Sequence, residues 1–300
     1  MSATAPGNAD QVEYWNGEVG LRWARNQDRL DRAFQPLTTA LIEHAAPRQG
    51  ERVIDVGCGC GDLSLALAGH LGADGRVLAV DVSRPMLEQG RSRQQAMDAG
   101  GLAKIDWQEA DAAAWPFPAA AFDLLISRFG VMFFGNPVAA FQNLRQALRP
   151  GGRLAMLCWR PAPDNAWVAV PRTAILQVVP APEPTPPDAP GPFAFADAAR
   201  VGAILAQAGF AAVASVAIDA VLDTATTEGD AAAALEDAVQ FAVGFGPASA
   251  LLRDIDEPTR ERAVSAVREA LRDRAGGAQP SLEAACWLFT AENPMLGPHS

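Results

Sequence analysis

Cysteine and histidine are both scarce in this chain. Four cysteines (Cys58, Cys60, Cys158, Cys286) and three histidines (His44, His70, His299) stand among 300 residues. No C-x-x-C pair occurs, so the spacing of a zinc site or a disulfide framework is missing, no metal is expected, and the thiols read as buried and free in a reducing compartment. Positive charge is also short: 24 Lys and Arg face 35 Asp and Glu, a net charge of −11. Phosphate backbones and anionic lipids are bound through cations, so nucleic acid and acidic membranes are poor partners for this surface. No run reaches the roughly 18 apolar residues of a membrane span. The opening MSATAPGNAD lacks the basic and apolar regions of a signal peptide, which sets a cytoplasmic expectation. Tyr14 is the single tyrosine.

Glycine is plentiful, and its placement is informative. Val53 to Ala68 reads VIDVGCGCGDLSLALA. An apolar strand carries Asp55 near its end, Gly57, Gly59 and Gly61 follow at alternate positions, and Asp62 opens a helical run. Strand, tight glycine turn and helix form the nucleotide cradle of doubly wound α/β folds. The dinucleotide pattern G-x-G-x-x-G would need glycine where Asp62 stands. A carboxylate at Asp55 repels a pyrophosphate but can hold a cationic or amine-bearing ligand. Apolar residues make up 49% of the chain, enough for a full core without covalent staples.

Four further segments follow in order. RVLAVDVS, Arg76 to Ser83, reads as a buried strand ending at Asp81, 24 positions after Gly57. That offset suits an acid accepting hydrogen bonds from both hydroxyls of a ribose, although Asp81, Ser83 and Pro85 also read as an ordinary helix start. A short strand, Ile105 to Glu109, precedes Asp111. FDLLISRFGVMFF, Phe122 to Phe134, is a fourth strand with its exit. LRPGGRLAMLCW, Leu148 to Trp159, reads as a helix stop at Pro150, Gly151 and Gly152 followed by a fifth strand.

The five segments together resemble the class I S-adenosylmethionine (SAM)-dependent methyltransferases. SRFGVMFF and RPGGRL are similar to the branch holding the ubiquinone/menaquinone-type C-methyltransferases and many small-molecule methyltransferases. The resemblance implies a Rossmann-like, doubly wound α/β sheet of seven strands, order 3-2-1-4-5-7-6, with the last strand antiparallel. It implies SAM as cofactor and S-adenosylhomocysteine (SAH) as product. The implied cofactor residues are Asp55, Gly57, Gly59 and Gly61 at the turn; Asp81 for the ribose; Asp111 beside the adenine; Val82, Met86 and Ala112 next to these acids; Ser127 at the methionine end; and Arg128 for the cofactor carboxylate or a substrate anion. An N-terminal aromatic helix lying over the cofactor adds Tyr14 and Arg22. Arg128 reads equally well as a salt-bridge partner, and Tyr14, Trp15 and Trp23 as ordinary packing.

The organisation follows the sheet. Residues 1–46 read as an N-terminal helical segment over the cofactor site: a tail to about residue 10, a helix from Gln11 to Leu30, and a second opened by Pro36. Residues 47–300 read as the SAM-binding domain, with cap insertions at about 160–195 and 222–280. PAPEPTPPDAPGP, residues 180–192, holds seven prolines and reads as an extended surface loop. Pro137 to Arg149 reads as a helix capped by Asn136, with a core stripe at Val138, Phe141, Leu144 and Leu148. Leu282 to Glu292 reads as the last strand.

The expected reaction is in-line methyl transfer to a small, apolar or aromatic molecule. Such transfer needs positioning and exclusion of water more than it needs protein nucleophiles. None of the three histidines is nominated as a base. Phe129, Phe133, Trp159, Trp167, Phe241 and Phe245 are the acceptor candidates, each of which is also ordinary core chemistry. SRFG stands where amino-group nucleobase methyltransferases carry Asn/Asp-Pro-Pro-Tyr/Phe, which argues against such acceptors. A homodimer is allowed. Two readings stay open beside the main one: a SAM-binding protein without transfer activity, and an NAD(P)-dependent oxidoreductase.

Overall fold

The computed structural model describes residues 4–5, 7–97, 100–186, 188–224, 230–275 and 280–295. Seven strands form one sheet in the order β3-β2-β1-β4-β5-β7-β6. They are β1 (Arg52–Val56), β2 (Arg76–Asp81), β3 (Lys104–Glu109), β4 (Phe122–Arg128), β5 (Leu148–Trp159), β6 (Ala211–Leu222) and β7 (Leu282–Glu292). Strands β1 to β5 are mutually parallel, whereas β7 runs antiparallel to both β5 and β6. Central strands covered on both faces need continuous apolar runs. In β1, Val53, Ile54, Asp55 and Val56 are all buried, and in β4 Leu124 to Ser127 are. Five parallel strand ends therefore meet along one edge of the sheet, where open α/β folds bind ligands.

The N-terminal region departs from the expected pair of helices. It forms α1 (Ala9–Asn16), α2 (Glu18–Arg25) and α3 (Gln27–Ala45). Breaks fall at Gly17 and Asn26, a glycine and a poor helix former. Pro36 lies inside α3 instead of opening a helix. The buried stripe Leu30, Ala33, Phe34, Leu37 and Leu41 holds α3 together across that lost amide. Ala5 and Asn8 do not belong to a free tail, for both are bonded to the sheet edge, as described below.

Helices α4 (Asp62–Leu71), α5 (Arg84–Ala96) and α6 (Pro137–Ala147) connect the parallel strands. The Asn136 side chain caps α6, accepting from the Ala139 amide at 3.1 Å. α6 ends earlier than expected, because Leu148 already pairs with Phe122 as the start of β5. Beyond β5 come α7 (Ala166–Ile175), α8 (Ala198–Gln207), and then α9 (Ala231–Gly244), α10 (Gly246–Ala250) and α11 (Glu257–Ala275) between β6 and β7. Residues 180–186 form an exposed loop, and the Gly191 amide bonds the Met132 carbonyl at 3.2 Å, returning the chain to the exit of β4. No helix among the described residues is long and apolar enough to cross a membrane. His44 and His70 end helices and are exposed, and His299 lies outside the described residues.

Candidate functional site

The glycine turn joins β1 to α4 and is tied to the end of β2. The Gly57 and Cys58 amides both donate to the Val80 carbonyl, at 2.8 and 3.1 Å. The three glycines sit in the left-handed region, at φ 69°, 55° and 84°, but for different spatial reasons. A Cβ on Gly57 would lie 2.5 Å from Gly130 Cα, and one on Gly61 would enter the Trp107 ring. A Cβ on Gly59 would meet only Met86 Sδ, at 3.8 Å. The outer two glycines thus serve packing, and the middle one leaves room above the turn.

Three acids stand around that turn. Asp55 is fully buried. Its Oδ2 accepts from the Ser64 hydroxyl at 2.6 Å, while Oδ1 has no hydrogen-bond partner. Burial pushes its carboxyl up to about 7, outweighing the Ser64 hydrogen bond and the Arg128 charge, which pull it down. Asp81 is buried as well. Its Oδ2 accepts from the Gly59 amide and its Oδ1 from the Ser83 amide, each at 2.8 Å, so this acid also fixes the turn. Burial raises its carboxyl above the usual range, and the backbone amides of Ser83, Gly59 and Val82 oppose that rise. Asp111 accepts three donors: the Ala5 amide at 2.8 Å on Oδ2, and the Asn8 side chain and the Ala113 amide, both at 2.9 Å, on Oδ1.

The remaining cofactor candidates are distributed around this edge. Met86 and Ala112 are buried. The Val82 carbonyl accepts from Asn16 Nδ2 at 2.8 Å, which seats α1 on the exit of β2. The Ser127 hydroxyl donates to the Val56 carbonyl at 2.8 Å and accepts from the Gly130 amide at 3.2 Å, locking β4 to β1. Arg128 pairs with Asp62 at 2.5 Å, bonds Thr38, and lies over the Phe34 ring. It therefore joins α3, α4 and β4. Tyr14 is exposed and packs edge-on against Trp15. Arg22 is half-buried, with no ion-pair partner among the described residues.

The acceptor candidates form a connected set of rings at the ends of β4 and β5. Phe129 stacks on Trp159 with ring centres 4.0 Å apart and planes at 10°. It holds a φ of 67°, a strained backbone for a bulky residue. Trp159 meets Trp167 at 4.9 Å, and Trp167 meets Phe241 at 6.5 Å. Phe241 continues to Phe245, Phe245 to Trp23, Trp23 to Trp15, and Trp15 to Phe133. Trp159, Trp167, Phe241 and Phe245 are all buried. A groove of about 670 Å³ opens instead on the other side of the N-terminal helices, between α1, α2 and α5, with Val12, Leu21, Pro85 and Glu109 in its wall.

Several groups at this edge escape sequence reasoning: Ser64 under Asp55, Trp107 under Gly61, and Asn8 and Asn16 at the two ends of α1. The asparagines flank a short helix, which is a visible signal, but their partners lie 66 and 103 residues away. No group of three or more His, Cys, Asp or Glu suited to a metal occurs among the described residues.

The residues present fit SAM on three counts. Asp55 Oδ1 is an unmatched buried acceptor for an ammonium group, Gly59 leaves space, and Asp81 and Asp111 are acceptors spaced along the strand ends. Comparisons point the same way. Residues 53–152 match the methyltransferase domain family. The ubiquinone/menaquinone biosynthesis C-methyltransferase UbiE of Ruegeria sp. is 36% identical over 129 residues, 42% of this chain and 49% of the relative. The UbiE protein of Azotobacter vinelandii is 36% identical over 125 residues, 42% and 48% of the two chains. The chain thus spans about half the length of these relatives. Among solved structures, phosphoethanolamine N-methyltransferase 2 of Haemonchus contortus in complex with SAM shares the fold at TM-score 0.57 and 16% identity. That match covers 97% of this chain and 62% of the other. The [4+2]-cyclase SpnF shares it at TM-score 0.50 and 19% identity, over 87% and 82%. Over residues 53–152 the chain resembles the SAM-dependent methyltransferases, and among them the UbiE proteins.

Proposed function

We propose that the chain is a SAM-dependent methyltransferase acting on a small, apolar or aromatic acceptor. The observation that carries this reading is the unmatched Asp55 Oδ1 beneath a glycine turn that leaves room only over Gly59. A buried carboxylate oxygen with no donor is costly unless a ligand supplies one. An ammonium group does so, and a pyrophosphate would be repelled.

In this reading Asp55 faces the amino-acid end of the cofactor, Asp81 the ribose and Asp111 the adenine amine. SAM, when bound, supplies an electrophilic methyl group on a sulfonium. The protein contributes placement: the turn and Ser127 fix the floor, and the rings of Phe129 and Trp159 form the wall at the β4 and β5 ends. Residues 160–195 and 222–280 act as a cap that excludes water and selects the acceptor; residues 187, 225–229 and 276–279 of it lie outside the described residues. Arg22, which has no ion-pair partner among the described residues, is the candidate for the cofactor carboxylate. Exposed His44 is bonded to the Ala40 carbonyl of its own helix, which suits a structural role better than a base. An acceptor that is already nucleophilic fits that shortage of bases.

The C-methyltransferase name of the UbiE relatives makes carbon methylation of a quinone-type ring the first acceptor class to try. The test is calorimetry with SAM, SAH and NAD, followed by assay of SAH release across phenols, quinones, amines and carboxylates. Binding of SAM and SAH but not NAD, with SAH release on one acceptor class, is the expected result. Binding of NAD in place of SAM sinks the reading. Tight SAM binding with no turnover on any acceptor favours a SAM-binding protein without transfer activity.

A further inference from the structure

Asn8 stands at the N-cap of α1, where an asparagine side chain ordinarily accepts from the first turn of its helix. Here it does not: the side chain makes no cap hydrogen bond. It turns to the sheet edge instead. Nδ2 donates to Asp111 Oδ1 at 2.9 Å, and Oδ1 accepts from the Gly135 amide at 3.3 Å. Asn8 is only 5% exposed, whereas α1 itself buries no residue. The most buried group of this segment is therefore a polar side chain pinned to an acid.

The surroundings agree. The Ala5 amide donates to the second oxygen of Asp111. Gly135 lies so close to the strap that a Cβ on it would come 3.1 Å from the Gly7 carbonyl oxygen. At the far end of α1, Asn16 donates to the Val82 carbonyl and accepts from the Arg84 amide at 3.0 Å, and Ser83 donates to the Trp15 carbonyl at 2.7 Å. The strap thus bridges the exits of β2, β3 and β4 through polar contacts. A carboxylate has about four acceptor positions on its two oxygens. Three on Asp111 are taken, by Ala5, Asn8 and Ala113, which leaves room for about one more donor.

We propose that Asn8 is a positioning residue for Asp111 and the pin of an N-terminal clasp, so that adenine recognition and closure of residues 7–16 are coupled through one shared carboxylate. The proposal rests on the SAM reading given above. Asn8 holds Asp111 in the orientation that offers its last acceptor position to an exocyclic amine. The same bond keeps the strap across the strand ends.

The test compares SAH with S-inosylhomocysteine, which replaces the 6-amino donor by an oxo acceptor, using calorimetry and amide hydrogen exchange on the full chain. Asn8→Ala is expected to weaken SAH binding about tenfold, the scale of a lost hydrogen bond to a charged group. It should weaken the inosyl analogue much less, so discrimination between the two falls. Exchange at residues 7–16 should quicken without ligand and lose the protection that SAH confers on the unmodified protein. Gly135→Val presses on Gly7 without touching Asp111. It should quicken exchange in the strap and lower both SAH affinity and the discrimination, because the Asn8 bond that holds the strap is the one that orients Asp111. Should Asn8→Ala fail to fold by circular dichroism, Asn8→Ser is read in its place. An unmodified protein that binds neither SAM nor SAH overturns the functional reading and this proposal together. Normal SAH binding in the unmodified protein, with discrimination and strap exchange unchanged in the Asn8 variant, overturns this proposal alone.

Discussion

The two halves of the sheet edge are built on different principles. Around β1, β2 and β3, each candidate group is fixed by a directional bond or a missing side chain: Asp81 on the Gly59 amide, Ser127 on the Val56 carbonyl, Gly57 against Gly130. Around β5, α7 and α9 the candidates are rings held by each other, Phe129 on Trp159, Trp159 on Trp167, Trp167 on Phe241. Directional constraints allow few residue types at each position, so the first half carries a recognisable pattern and matches a family over residues 53–152. Packing constraints accept many apolar residues of similar volume. The second half can therefore change its ligand without changing the fold, and similarity to the curated relatives stops at about half their length.

The largest expected effect breaks the second half. Phe241 is fully buried among Phe34, Trp167 and Phe245. Phe241→Ala should cost about 3–5 kcal/mol of stability, seen in urea unfolding. Phe241→Leu keeps more of the volume and is the useful probe of function. It should leave the SAH dissociation constant within about twofold, since the ring makes none of the cofactor-side contacts, while raising the acceptor KM or lowering kcat. A Phe241→Leu variant that loses SAH binding would show that the halves are not separable.

The first half is exposed by pH. Asp55 ionises near 7 in the folded protein, against an ordinary 3.8, because it is buried. Between about pH 4 and 7 the folded chain keeps a proton that the unfolded chain has released, so stability falls as pH rises through this window. A shift from 3.8 to about 7 corresponds to something on the order of 4 kcal/mol. Asp31, raised to about 6 by burial and by Asp62, adds to the same slope. Asp55→Asn should flatten most of the fall between pH 4 and 7. A profile identical in the variant would show that Asp55 does not titrate there. Gly57→Ala comes next: it adds a left-handed φ penalty to a backbone clash with Gly130 and should cost about 3 kcal/mol together with cofactor binding. Asp81→Ala follows, with about 1.5–3 kcal/mol lost from SAH binding by calorimetry. Because Asp81 also bonds the Gly59 and Ser83 amides, the melting temperature should fall with it. Unchanged affinity removes Asp81 from the site.

What was legible in the sequence follows the same division. Continuous apolar runs marked β1, β2 and β4, and the run Leu282 to Glu292 marked β7 at its observed ends. The strand order came with the family resemblance and matches the observed sheet. Boundaries at Gly17, Asn26 and Ala147 were not legible. Each depends on a local break or a strand pairing that outcompetes helix propensity, as Leu148 does by joining Phe122. Asp81 could be named as a candidate because it ends β2 and Asp55 because it precedes the glycine turn, whereas Asp111 came with the family resemblance. Their partners could not: whether Asp111 faces solvent or the Asn8 amide is decided by a contact across 103 residues.

The smallest expected effect serves as a control for both halves. Ala46 caps α3 with φ 44° and ψ 59°, a left-handed conformation that a Cβ disfavours by roughly 1–2 kcal/mol. Its amide closes the helix on the Ile42 carbonyl at 2.9 Å, and its carbonyl accepts from Arg153, which is also paired with Glu51. These bonds use backbone atoms that glycine retains, and the residue is exposed, so little packing is lost. Glycine costs some entropy in the unfolded chain, which offsets part of the relief. Ala46→Gly should therefore raise stability by about 0.5–1 kcal/mol. Arg153 lies opposite Leu124 near the start of β4, and Glu51 just before β1, the opposite end of these strands from the glycine turn. SAH affinity, adenine discrimination and acceptor KM should stay as they are. A change in any of them would mean that α3, which carries Phe34 to the ring set and Thr38 to Arg128, transmits strain from its capped end to the site. The two halves would then share one rigid lever instead of acting separately.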